Sequence, residues 1–302
     1  MSRLKASRRP ARPSRKRSGG LGVSRATLWR TGVVLTWVGT FVGAAFGLHQ
    51  LDSHQRALAA REPTQLRWTA LPPWLEDPRQ QGLLSEIEAQ AGLRADNDLF
   101  EPALCERLAR NLKRSPWVED VHRVWKQPGG TVRVHASFRK PLTMAAKDGM
   151  AYLVDKSGVR LPLQQRAAHI KPGKWIIVRG VGGRVPPVGE QWQGEDLAAG
   201  LRLANFLDRA EVGGRLSFRT SLLAVDVGHF DSRTGGGLRV ITINPRSYIH
   251  WGLPPGDEYD IEASAERKLE ALNGLYAKTG CLPDRGPIDV RPQDRILIGE
   301  PR

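Results

Sequence analysis

Seven histidines, two cysteines and one knot of carboxylates are the side chains through which this sequence could do chemistry. His49, His54, His122, His135, His169, His229 and His250 are scattered. None falls in an H-E-x-x-H run or an i, i+4 pair, so no metal-ligand spacing is visible. Cys105 and Cys281 are too few for a four-thiolate zinc site, and neither sits in a nucleophile motif. Two readings stay open for them: a bridge in an oxidising compartment, or, for Cys105, a buried thiol beside the apolar stripe of a helix. Ser217 and Ser232 lack a G-x-S-x-G elbow. His229 and Asp231 are close in sequence, but alternate strand or loop positions need not converge. Asp257, Glu258, Asp260 and Glu262 could hold a cation, yet a solvated approach to a helix is the expected reading. The glycine-rich run at 180–189 is not G-x-G-x-x-G and follows no βαβ pattern, so it is not read as a phosphate loop. The expectation is a protein without catalytic residues, cofactor or metal.

The elements that must carry these residues begin with a charge asymmetry. Lys and Arg number 46 against 31 Asp and Glu, a net charge of +15, and ten of the cations precede position 31, where there is no acid. The remaining 272 residues carry only +5, which argues against a basic nucleic-acid face on the folded part. Residues 31–48 hold no charged side chain. Eighteen residues at about 1.5 Å each span roughly 27 Å, close to the hydrocarbon thickness of a bilayer. With the basic tail before it, this run is read as a transmembrane signal anchor, N-terminus cytoplasmic and residues 49–302 outside. Gly39, Gly43 and Gly47 lie on one face of that helix and are candidates for packing against a second membrane helix. The tail, 1–30, is expected to be disordered and attracted to the lipid bilayer.

After a polar stalk at 49–63, residues 65–71 read as a strand ended by Pro72-Pro73. Leu83, Leu84, Ile87 and Ala91 have helical spacing, and Phe100, Leu104, Leu108 and Leu112 form an i, i+4 stripe behind Asp98 and Glu101, a capping-box pattern. Pro116 ends that helix. Val118, Val121, Val124 and Trp125 suggest a strand, Gly129-Gly130 a turn, and 131–138 a half-buried strand of period two. Beyond 160 the expected elements are a strand at 175–178, a helix carrying Leu197, Leu201, Ala204 and Leu207, and paired strands at 222–227 and 238–243. A helix carrying Ala265, Leu269, Leu272 and Tyr276 follows, then terminal strands at 288–291 and 295–298.

The order β-α-α-β-β over about eighty residues resembles a POTRA domain. Leu108 through Pro116-Trp117-Val118-Glu119-Asp120-Val121, Val124-Trp125-Lys126-Gln127-Pro128, Arg139-Lys140-Pro141-Leu142, Tyr152 through Val159, and Ile288-Asp289-Val290-Arg291 are together similar to motifs of the bacterial cell-division family FtsQ/DivIB. Phe138 departs from that family's usual Glu, and Pro292 interrupts the run that follows Arg291. The resemblance implies an α+β fold: a single transmembrane helix, a POTRA-like domain at 64–141 and a β-rich domain with flanking helices at 142–302. It implies a non-enzymatic scaffold of the divisome in the inner membrane at the division septum, bound to partners similar to FtsB and FtsL. Arg139 would serve recruitment from the POTRA side. Arg291, Arg295, Ile296, Leu297 and Ile298 would offer a terminal sheet edge to a partner strand. The alternatives are a POTRA-bearing envelope assembly or secretion protein, and a membrane-tethered cell-wall enzyme with an unrecognised site.

Overall fold

A computed structural model describes residues 25–59, 64–94, 97, 101–171, 173, 175–231, 237–259, 262–284 and 286–299. The cations at positions 3–17, together with Asp98, Phe100, Ser232 and Asp260, lie outside the described residues. The chain divides into two compact units, residues 1–61 and 62–302.

In the first unit the described element is helix α1, Arg25–Ala59, which runs on through most of the stretch expected to be a stalk. The expected transmembrane anchor is corrected here: among the described residues, no helix is long and apolar enough to cross a membrane. Among residues 36–48 of that helix, Thr36, Gly39, Thr40, Gly43 and Gly47 dilute the apolar side chains. The helix then continues into polar His49, Gln50, Ser53 and His54. The single-pass inner-membrane localisation rested on that span and is corrected with it. A Cβ added at Gly39, Gly43 or Gly47 would meet nothing within 4 Å.

The second unit is α+β with two sheets. Strand β1 (Gln65–Trp68) is followed by helices α2 (Pro73–Glu76), α3 (Gln81–Ala91) and α4 (Leu104–Lys113), then by β2 (Val118–Gln127) and β3 (Thr131–Phe138). These strands form a three-stranded sheet in the order β1-β3-β2, with β1 parallel and β2 antiparallel to β3. The i, i+4 stripe of α4 does what its spacing requires: Leu104, Leu108 and Leu112 are fully buried against the sheet, with Val132 and Val134 facing them. The helix start differs from expectation. Ala103 is its N-cap, without a side-chain cap bond, and Glu101 pairs with Arg107 at 2.9 Å instead.

Strands β4 (Pro141–Lys147), β5 (Met150–Asp155), β6 (Arg160–Arg166) and β7 (Ile177–Arg179) precede helix α5 (Glu195–Val212). Strands β8 (Leu222–Asp226), β9 (Leu238–Thr242) and β10 (Ser247–Gly252) follow, then helix α6 (Ala265–Thr279), β11 (Gly286–Asp289) and β12 (Leu297–Ile298). They make a nine-stranded mixed sheet ordered β12-β11-β10-β9-β8-β7-β4-β5-β6. Period two sorts its middle strands between two cores. Met144 and Leu153 join the core under α4, whereas Ala145 and Val154 join the core under α5 and α6. Ser264 caps α6 through the Arg267 amide, and Gly280, at φ +71°, ends it.

Candidate functional site

Strand β12 is one edge of the large sheet. It pairs antiparallel with β11, Ile288 opposite Ile298 and Asp289 opposite Leu297. The Gly299 amide donates to the Pro287 carbonyl at 2.9 Å, so 287 and 299 are a hydrogen-bonded pair. Antiparallel pairs alternate, which aims the N–H and C=O of Ile298 away from β11, towards the open side. Leu297 and Ile298 expose 43% and 54% of their surface, and Arg295 is exposed as well.

The other candidates near this edge are engaged internally. Ile296 is partly buried against the α5/α6 core. Arg291 folds back on Asp289: Nε donates to Oδ1 at 2.9 Å, Nη2 to Oδ2 at 2.6 Å, and the Arg291 amide to Oδ1 at 3.0 Å. Burial works to raise the Asp289 carboxyl, but the Arg291 hydrogen bonds and charge outweigh it and hold the group below the usual carboxylate range.

Arg139 lies far from this edge in the fold, at the junction of β3 and β4. Its Nη1 donates to Asp155 Oδ2 at 3.1 Å, and Asp155 is 3% exposed. The other oxygen of Asp155 accepts the amides of Ser157 (2.9 Å) and Val159 (2.8 Å), which closes the β5–β6 turn. Arg139 therefore neutralises a buried carboxylate. Around it is a depression of about 270 Å³ that also admits Lys140, Lys156, Asn205 and Asp208.

The acidic knot separates into individual bonds. Asp257 forms a bidentate pair with Arg202 at 2.8 and 2.5 Å, and that hydrogen bonding lowers its pKa. Glu258 accepts the Gly256 amide at 2.7 Å. Glu262 takes the Lys268 ammonium at 2.9 Å and the Leu253 amide at 3.0 Å. The Lys268 side chain is fully buried and lies 5.5 Å from the centroid of the Trp251 ring. Sequence reasoning passed over this lysine although a signal was there: position 268 lies on the apolar stripe of Ala265, Leu269 and Leu272. Gly252, at φ +87°, is the complementary requirement, since a Cβ there would overlap the Glu262 carboxylate.

One face of β8–β10 presents Leu223, Arg239, Ile241, Tyr248 and His250, all partly exposed, beside a depression of about 370 Å³. The Arg239 guanidinium stacks over Tyr248 at 5.3 Å, and the Tyr248 and His250 rings are 5.2 Å apart. Burial, then the charges of Arg291 and Arg239, push the His250 pKa down. Cys105 and Cys281 are both free thiols, the first partly buried and the second exposed. Among the described residues no group of three or more His, Cys, Asp or Glu side chains is arranged to hold a metal ion. No family model and no curated protein matches the chain.

Proposed function

We propose that this chain is a non-enzymatic docking protein of the bacterial division machinery, as its resemblance to FtsQ/DivIB implies, and that it captures a partner segment by strand addition. The observation that carries the reading is the outward-facing backbone of Ile298 on edge strand β12, flanked by exposed apolar side chains. An edge strand offers unpaired donors and acceptors, so a segment added there gains affinity through its main chain. The neighbouring side chains of Leu297, Ile298 and Arg295 would select the incoming sequence. At two residues the strand is short, so the partner must gain further area from surfaces beside it. Partners similar to FtsB and FtsL are the occupants the family resemblance implies. Arg139 and Arg291, engaged with Asp155 and Asp289, would support the surface and not reach out from it.

The test is Ile298→Pro in the full-length chain, with capture of FtsB- and FtsL-like partners as the readout. Proline there removes the donor that faces the open side and spares the bonds to β11. The expected outcome is an unchanged circular dichroism spectrum with capture lost. Capture that survives in the folded variant removes β12 as the docking strand.

A further inference from the structure

We propose that His122 and His135 form a two-imidazole site for a divalent transition metal ion, Cu²⁺ or Zn²⁺, on the solvent face of the three-stranded sheet. The two residues are thirteen apart in sequence, and the β2–β3 register brings them together. Val121 opposes Ala136 and Arg123 opposes His135, so His122 is the extra residue of a bulge. A bulge re-aims the side chain it carries, and here the rings stand 4.8 Å apart between centroids, with planes inclined at 56°. Two imidazoles that share one metal at 2.0–2.1 Å per nitrogen have centroids about 4.5–5.2 Å apart. The pair thus has the separation that a shared ion requires.

The surroundings fit the same chemistry. Both histidines are exposed, so a hydrated ion reaches them without desolvating the core, and water fills the remaining positions. Two neutral nitrogen ligands suit copper, nickel and zinc and not the hard, oxygen-seeking Mg²⁺ or Ca²⁺. Asp120 Oδ2 is 3.4 Å from His122 Nδ1, while Asp120 Oδ1 is pinned by the Val121 amide at 2.8 Å. A carboxylate within reach of Nδ1 is the usual outer partner of a metal-bound histidine, and in that role it would accept the Nδ1–H hydrogen bond and leave Nε2 as the ligand. Asp120 is a positioning residue here, and Lys113 Nζ, 3.5 Å from its other oxygen, is the nearest competing cation.

Titration of the full-length protein with CuCl2 at neutral pH, followed by electron paramagnetic resonance, tests the proposal. The expected result is one Cu²⁺ per chain with two nitrogen ligands, and affinity at least tenfold weaker in His122→Gln or His135→Gln. Loss of this site should be complete in the double variant, which sets the background from the other five histidines. Asp120→Asn should keep the two-nitrogen signature at up to tenfold lower affinity. In parallel, ZnCl2 should raise the melting temperature of the wild type and not of the double variant, whose metal-free melting confirms that it is folded. Equal copper affinity and stoichiometry in the wild type and the folded double variant would overturn the site.

Discussion

Lys268 and Glu262 show how a single pair can be indispensable in one direction and dispensable in the other. The ammonium is fully buried against the Trp251 ring, and the carboxylate that pairs with it is 13% exposed. Removing one partner strands the other charge, whereas replacing the cation by an apolar chain of similar volume does not. Glu262→Ala should therefore cost about 3–5 kcal/mol in urea unfolding, and Lys268→Met far less. Comparable losses in both variants would mean that the lysine is held for its charge. Asp155 obeys the same logic, because it satisfies two turn amides as well as Arg139. Asp155→Ala should lower stability by about 2–3 kcal/mol, which a shift in the urea midpoint would register. For the same reason Arg139→Glu, which sets a second carboxylate against Asp155, tests folding before it tests recruitment. His250 adds a pH dependence. Its folded pKa lies below the ordinary 6.5, so the unfolded chain takes up the proton first as the solution is acidified. Stability should fall as pH drops through 6.5 towards the folded value, and His250→Gln should flatten that part of a melting-temperature profile. Asp289, also lowered, acts only below its ordinary 3.8.

Elements here are held by their buried stripes more than by their caps. Helix α4 has no side-chain cap, and its three stripe leucines are fully buried. Leu108→Ala should cost about 2–5 kcal/mol, the range for truncating a leucine in a packed core. A value below 1 kcal/mol in urea unfolding would show that α4 is held by something other than this stripe. At the other end of the chain, strand β12 separates its two positions by the alternation of its hydrogen bonds. Leu297 directs its amide at Asp289, so proline at 297 loses a bond within the sheet, about 1 kcal/mol, before any partner is present. Proline at 298 leaves that ladder intact. The order of melting temperatures, wild type near Ile298→Pro and both above Leu297→Pro, checks the assigned phase of the strand.

At the scale of the 62–302 unit, β4 and β5 are the shared wall. Met144 and Leu153 belong to one core and Ala145 and Val154 to the other, so neither core can lose these strands without exposing the second. The unit should unfold in a single transition. Hydrogen exchange would show it: amides of β3 and of β9 should give the same opening free energy, and Leu153→Ala should lower both together. Separate values would mean that the two sheets open independently.

Much of the fold was legible in the residue pattern, because a local period is a local physical requirement. The α4 leucines, the alternation along 131–138, the helix ended by Gly280 and the pairing of β8 with β9 all follow from which side chains share a face. The membrane span was misread from the same kind of signal, since a run without charge need not be apolar enough to cross a bilayer. The site was less legible. Arg139, Arg291 and the acidic knot looked like free charges in sequence, and tertiary structure alone supplied Asp155, Asp289, Arg202 and Lys268 as their partners. Register decided the rest: which backbone groups of β12 face outward, and that His122 and His135 meet across a hairpin. Spacing along a chain specifies neighbours within one element. Neighbours across elements are set by strand register and bulges, which depend on how two cores pack together.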